Sequence, residues 1–530
     1  MKLSENQLKN WYSFYYDQNI IHLTYKEFLL KINDNLLNLK NPRITFDGIE
    51  FLNNNIYELN SFNIYYLIIL INIYLSENIN KRKKQIFLGK DNNIDLEKII
   101  LLKKFFNKNN IKVFEYNISY VNDFIVLNTL SDMDLDLAIY LYKNEINNKY
   151  YLKIYNKDGL LSKEKINELI NKSHNFDKEI KLSENKDSIQ LNIDKFLNYY
   201  INKNNNHITK SEFKQDVLNI KITIEDQKSE YILLNLMRKF GYLVKRNIQK
   251  FKWETKIKKY LWIYFKWLNY NLNKYDLLIY IDKFNQLSIY LKIKNKFILI
   301  KDEELTYLYI NYYYLTWKQN KVLERNKIFI PHYTSSSILN LLNNFNIPYD
   351  FLNNLKTNEV LLANQNKFFS SEIDKYLSFN NVQFVLNFCF ILSSYKNNNN
   401  LLDYKFLKMK KYMNKYIVKN YSTKFEYKKN NELIHLFKSQ KILNKFFYIE
   451  ESINIDLNTI YDHTFLKLII KDKNQNEYIT FLYYDFYLNN FNIKIETKRT
   501  KNIFFFCIQK ILIFQLNKSI QKILNLTKQI

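Results

Sequence analysis

Only four glycines, Gly48, Gly89, Gly159 and Gly241, serve a chain of 530 residues. Glycine reaches left-handed backbone without steric cost and lets chain segments approach closely. So small a supply excludes the glycine-rich loops that wrap nucleotide phosphates, and neither G-x-x-x-x-G-K-[ST] nor G-x-G-x-x-G occurs. The triple serine Ser335–Ser337 has no flanking glycine to form a nucleophile elbow and reads as a helix N-cap instead. Each remaining glycine marks a point where positive φ or close packing leaves no alternative.

Between these points the pattern alternates strand and helix. Residues 85–89 form a short apolar run ending in glycine, a buried strand. Residues 95–107 place Leu96, Ile99, Leu102 and Phe106 on one side of a helix, and residues 112–116 are strand again. That is a βαβ unit and favours a parallel sheet. The order recurs with strands at 218–222, 242–244, 275–280 and 327–330 and helices at 230–240 and 335–344. The last hundred residues differ. Strands at 465–470 and 478–484 flank the turn-like 472–476, and an amphipathic helix runs from about Leu516 to Gln529, so a small α+β domain is expected. The asparagine tracts 204–206 and 397–400 read as surface loops.

Hydrophobic residues make up 47 % of the chain, enough for several cores. Cys389 and Cys507 lie far apart in apolar runs and read as buried free thiols. The six histidines show no ligand spacing, and no cofactor is expected. The longest apolar runs, 64–75 and 503–516, are interrupted and shorter than a membrane span. Residues 1–19 are polar and carry no secretory pattern. A soluble protein of a reducing compartment is expected, cytoplasmic or in an organellar matrix, with no membrane span.

The formal charge is +27, from 79 basic and 52 acidic residues. Such an excess either implies acidic partners, or reflects lysine as the default polar residue of an AT-rich coding sequence. The basic clusters are Lys81, Arg82, Lys83 and Lys84; Lys245 and Arg246; a basic helix at 405–415; and Lys498, Arg499 and Lys501. Aromatics interleave with them, which suits either RNA or a protein interface.

Residues 43–49, Arg-Ile-Thr-Phe-Asp-Gly-Ile, resemble an opening F-G-T-D-G-I-R-G. Gly89-Lys-Asp91 resembles G-x-D after a first strand, and Lys153-Ile-Tyr-Asn-Lys-Asp-Gly159 resembles K-I-Y-N-x-D-G. Residues 220–242 are similar to a second-domain stretch ending A-G-F, and Phe369-Ser-Ser-Glu372 is similar to F-G-G-E. These are motifs of the phosphohexomutase superfamily, the phosphoglucomutase/phosphomannomutase proteins, and all four glycines fall where its pattern carries glycine. The resemblance implies an α/β protein of four domains, the first three α/β with mixed sheets and the last a small α+β domain. The expected boundaries are a helical extension at 1–40, α/β domains at 41–190, 191–310 and 311–430, and the α+β domain at 431–530.

The same resemblance sets out the family's chemistry, a phosphate moved between two oxygens of a sugar. The phosphoserine loop T-A-S-H-N-P corresponds to residues 141–146, and Lys143 stands at the serine. Lysine cannot carry that phosphate as a stable ester. The Mg²⁺ loop D-P-D-A-D-R corresponds to residues 281–286, where Ile281, Lys283 and Asn285 leave only Asp282 as a carboxylate. Of the sugar loop G-E-E-S-G only Glu372 would remain, with Ile373, Asp374 and Lys375 replacing the rest, and it reads as a solvated loop carboxylate rather than a sugar ligand. The phosphate loop R-P-S-G-T-E-P corresponds to residues 484–490, which lack Arg and Gly, and Glu50 replaces the opening Arg. The expected function is therefore a non-catalytic phosphohexomutase-like pseudoenzyme, a structural or scaffold subunit partnered by other proteins of a larger assembly. The alternatives are an RNA-binding or ribosome-associated basic protein, with RNA as partner, and a residual phosphoglucomutase or phosphomannomutase.

Overall fold

The first sheet grows out of the strand–helix–strand alternation read above. The computed structural model describes residues 3–36, 41–45, 48–78, 84–91, 93–118, 121–144, 148–157, 159–208, 218–225, 227–246, 274–282, 286–294, 296–354, 359–365, 368–371, 381–397, 401–424, 430–439, 441–455, 464–485 and 490–529. Its strands are β1 (Arg43–Thr45), β2 (Gly48–Phe51), β3 (Lys84–Lys90), β4 (Ile111–Tyr116), β5 (Leu137–Asn144), β6 (Lys149–Asn156), β7 (Gly159–Leu160) and β8 (Ile189–Leu191). They run in the order β1-β2-β6-β5-β3-β4-β8, with β7 against β6. β3 is parallel to β4 and β5, while β5, β6 and β2 are antiparallel.

The larger core lies on one face of this sheet, and helices Asp123–Asp132 and Ile193–Ile208 pack on the other. Helix Ile64–Asn78 is apolar all round and buried on nearly every side, as such a helix must be in water. The 64–75 run is thus a core helix. Helix Glu5–Tyr16 begins with a capping box, in which the Gln7 N–H donates to Ser4 Oγ and the Ser4 N–H to Gln7 Oε1. It buries Trp11, Phe14 and Tyr15, with the Trp11 ring stacked on Tyr65. Helix Leu96–Lys108 buries Ile99, Leu102 and Phe106 as expected. Leu96, expected on the same face, is 68 % exposed because the packed face begins one turn later. The 204–206 asparagines are helical rather than looped, since helix Ile193–Ile208 continues from its buried face at Phe196, Leu197 and Tyr200.

The second sheet contains β9 (Asn219–Ile224), β10 (Leu243–Arg246), β11 (Leu277–Ile281), β12 (Leu287–Ile293) and β13 (Lys296–Ile300), ordered β10-β9-β11-β12-β13. The third contains β14 (Lys327–Ile330), β15 (Tyr349–Phe351), β16 (Val360–Gln365) and β17 (Phe368–Ser371), ordered β15-β14-β16-β17. One plan recurs three times. A first strand lies beside a second reached through a helix, a third lies on its other side, and a fourth folds back antiparallel. The repeated orders are β4-β3-β5-β6, β10-β9-β11-β12 and β15-β14-β16-β17. The crossover helices are Leu96–Lys108, Gln227–Lys239 and Ser336–Asn344.

The fourth sheet is wholly antiparallel: β18 (Tyr416–Thr423), β19 (Phe447–Asn454), β20 (Thr464–Asp472), β21 (Glu477–Asp485) and β22 (Asn490–Lys498), ordered β18-β22-β21-β20-β19. Helices Asn430–Ser439 and Ile503–Gln529 pack on it. The last helix begins 13 residues before the expected start at Leu516, because the whole 503–516 run is helical. It is long and apolar enough by composition to cross a membrane. Ile513, Leu516, Ile520, Ile523 and Leu524 are nevertheless buried against the sheet, as in a core helix. The chain divides into two compact units, one mainly Met1–His207 and the other mainly the remainder.

Candidate functional site

The position matched to the family's nucleophile lies on β5, at its turn into β6. Lys143 pairs with Tyr150 across the antiparallel ladder, and the last rung is Asn144 with Lys149. Residues 141–144 are thus strand, held rung by rung, and not an open loop. The Lys143 ammonium lies 5.1 Å from the centre of the Tyr150 ring, whose other neighbour is Phe62, stacked at 4.8 Å.

The opposite face of the same hairpin carries a device that the sequence reading missed. β6 presents Lys149 and Tyr151, then Lys153 and Tyr155, two K-x-Y pairs that share a face because a strand has period two. Each pair clamps a carboxylate. Glu50 accepts from Lys149 Nζ at 2.6 Å and from the Tyr151 hydroxyl at 2.7 Å. Asp123 accepts from Lys153 Nζ at 2.8 Å and from the Tyr155 hydroxyl at 2.5 Å. Between them the rings of Tyr140, Tyr142 and Tyr151 form a stack, with the Lys153 ammonium 5.1 Å from the Tyr142 ring centre. The cations beside the nucleophile position are thus spent on internal carboxylates. The period-two K-x-Y pattern was the available signal.

The position matched to the metal loop occupies the corresponding hairpin of the second sheet, β11 to β12. Asp282 closes that turn on itself: its N–H donates to the Gln286 carbonyl at 3.2 Å, and its Oδ1 accepts the Gln286 N–H at 2.9 Å. Ile281 is a buried strand residue. Among the described residues, no three His, Cys, Asp or Glu side chains gather at metal-binding distance. Lys283, Asn285 and Glu372 lie outside the described residues. Of the stretch matched to the phosphate loop, Tyr484 and Asp485 end β21 and Asn490 opens β22, with Asp485 paired to Asn490, and residues 486–489 lie outside the described residues.

Of the basic clusters, Lys81, Arg82 and Lys83 lie outside the described residues. Lys84 is a strand residue. It opens β3, and its ammonium donates to the Leu75 carbonyl at 3.0 Å, near the C-terminal end of helix Ile64–Asn78. Lys245 and Arg246 are exposed at the end of β10. Lys245 pairs in register with Lys221, and the Lys221 and Lys274 ammoniums flank the Tyr275 ring at 5.8 and 5.7 Å. Burial, and then the charges of Lys245 and Lys274, hold the Lys221 pKa below its ordinary value. Lys498, Arg499 and Lys501 are exposed, and the Arg499 guanidinium lies 4.3 Å from the Phe506 ring centre.

The triple serine does start a helix, Ser336–Asn344, but the Ser335 hydroxyl makes no capping bond. Carboxylates from elsewhere do this work. Glu303 accepts the Ser335 N–H at 2.8 Å, and buried Glu496 of β22 accepts the Ser336 N–H on both oxygens at 3.0 and 3.1 Å. Lys494 bridges to Glu303 at 2.6 Å and to the Tyr333 carbonyl. Burial raises the Glu496 carboxyl to about 7, against the Lys494 charge and the Ser336 bond. For Glu303, burial pushes upward too, but the Lys494 charge and hydrogen bonds outweigh it and lower the pKa. Cys389 is buried and its thiol pushed up, whereas Cys507, expected to be buried, is exposed on the last helix.

Three mixed sheets of one repeated plan, closed by an antiparallel domain, make a phosphohexomutase-like fold. Solved structures of that class superpose over most of the chain. They include the exocytosis-sensitive phosphoprotein parafusin, a phosphoglucomutase of Paramecium in its open form, with TM-score 0.57, 11 % identity and coverage of 87 % of this chain and 92 % of that one. A phosphoglucomutase/phosphomannomutase family protein of Burkholderia thailandensis gives 0.55, 9 %, 87 % and 92 % in the same order. No protein-family model matches the sequence, and neither does any curated protein.

Proposed function

We propose that this chain is a non-catalytic protein of the phosphohexomutase fold, acting as a structural subunit of a larger assembly. The observation that carries the reading is the β5–β6 hairpin, where residues 141–144 of the stretch matched to the nucleophile loop are paired strand and Lys143 stands at the serine. The substitutions at the metal loop support it, because phosphoryl transfer is catalysed mainly by positioning and charge neutralisation. A large core and a maintained sheet plan beside these replacements fit a fold kept for the surface it offers. The basic excess fits an acidic partner face.

Two measurements test this. Incubation of the purified chain with a radiolabelled hexose bisphosphate and Mg²⁺ is expected to leave the protein unlabelled, and stable labelling would overturn the non-catalytic reading. Purification of the tagged protein from its source at low salt is expected to give a particle well above the chain's own 65.0 kDa and free of RNA. A lone monomer, or an RNA-rich particle that dissociates as salt rises, would count against the scaffold role.

A further inference from the structure

The last helix has two unlike faces and one unlike end. Its middle and C-terminal half bury Ile513, Leu516, Ile520 and Ile523 on the fourth sheet. Its first two turns aim Phe506 and Gln509 inward, Phe506 against the same core and Gln509 onto the Lys498 carbonyl, and leave three large apolar side chains outside. Ile503 is 79 % exposed, Phe504 68 % and Phe505 55 %, and Cys507 is exposed as well. Ile511 and Phe514 continue the exposed apolar stripe along the outward face. Large apolar side chains gathered in this way are costly in water and mark a contact surface.

Charge decides what the contact is. From residue 497 to the end of the sequence there are seven lysines and arginines and no acidic residue. Cations accompany the rings: Arg499 and Lys510 lie 4.3 and 4.2 Å from the centre of half-buried Phe506, and Lys518 lies 4.7 Å from that of exposed Phe514. A second copy of this chain would bring like charge against like charge. A groove on a partner protein covers one stripe of a helix, about a third of its circumference, but residues 503–505 are exposed on successive sides. A medium that covers more than one stripe suits it better. The positive end of the helix dipole adds to the attraction for phosphate.

We propose that the N-terminal end of helix Ile503–Gln529, with Lys498, Arg499 and Lys501 beside it, docks the protein peripherally on an anionic lipid surface. The helix does not span the bilayer, since its other face remains on the sheet. The inference stands apart from the non-catalytic reading, because lipid docking would serve an active or inactive chain equally.

The test is co-sedimentation of the full chain with vesicles of phosphatidylcholine alone and of equimolar phosphatidylcholine and phosphatidylserine. Binding is expected to the second only and to weaken as salt rises. The double variant Phe504→Ser, Phe505→Ser alters only exposed side chains, so its circular dichroism should match wild type while vesicle affinity falls about tenfold or more. The charge variant Lys498→Glu, Arg499→Glu, Lys501→Glu is expected to lose binding to a similar degree. Absence of binding to the anionic vesicles at low salt would overturn the proposal, as would binding unchanged in both variants. So would a vesicle-free dimer that the Phe504→Ser, Phe505→Ser variant dissociates, which would make this end a protein interface.

Discussion

Gly48 has φ +96°, and a Cβ there would stand 2.5 Å from the Leu152 carbonyl oxygen, a backbone atom that cannot move alone. Gly48→Ala is expected to cost more than about 2 kcal/mol, read as a fall in the urea midpoint. Gly89 has ordinary backbone, and an added Cβ would meet only the side chains of Phe87, Tyr140 and Val126 at 3.2 Å. Gly89→Ala is therefore the milder change, about 1 kcal/mol. Both positions were legible in the sequence, because glycine survives in so few places. Glu496 was not, since only the packing of β22 against the start of the 336–344 helix brings it to the Ser336 N–H. Its carboxyl rises from the ordinary 4.5 to about 7 in the folded chain, so the native state holds the proton more tightly. Its contribution to stability is full below 4.5 and is lost as pH rises to 7, at about 1.4 kcal/mol per pH unit. Glu303, shifted downward, acts in the opposite sense and at lower pH. Glu496→Gln is expected to flatten the stability profile between pH 4.5 and 7 while keeping an oxygen for the Ser336 N–H. An unchanged slope in urea titrations across that range would contradict this.

At the scale of elements, periodicity found at least one strand in each of the four sheets and only some of the helices, and it failed where one element serves two environments. The 503–529 helix is the clearest case. Its amphipathic second half was visible from Leu516 onward, whereas its first half is apolar on too many sides to show a helical stripe. The two faces predict different costs. Ile520 is fully buried on the fourth sheet, so Ile520→Ala should destabilise the C-terminal domain by about 2–4 kcal/mol. Phe514 is 50 % exposed on the opposite face, and Phe514→Ala should change stability by less than about 1 kcal/mol. Comparable losses in the two variants, measured by denaturant unfolding, would mean that the outer face is packed as well. The candidate site was legible as a set of substitutions but not as a shape. Nothing in residues 141–150 announced that Lys143 continues a strand, and the K-x-Y clamps on Glu50 and Asp123 involve partners 99 and 30 residues away.

For the whole molecule, sequence order revealed three α/β blocks, yet their common 2-1-3-4 strand order emerges only from pairing. Lys143 and Asp282 then fall at the same hairpin, third strand to fourth, in two copies of one plan. On the proposed non-catalytic reading several matched loops have lost their chemical groups, so repairing one of them should not restore chemistry. Lys143→Ser would return a hydroxyl to a paired strand whose neighbouring cations hold Glu50 and Asp123. Asp282 would still close its own turn and offer a single carboxylate where the family's loop has three. Each missing charge-stabilising element costs about 3–4 kcal/mol of transition-state stabilisation, and two or three together put turnover below detection. Lys143→Ser is therefore expected to take no label from a hexose bisphosphate and to interconvert no hexose phosphates. Labelled serine in that variant would show that the remaining loops are still arranged for phosphoryl transfer, and the chain would then be a mutase lacking only its nucleophile.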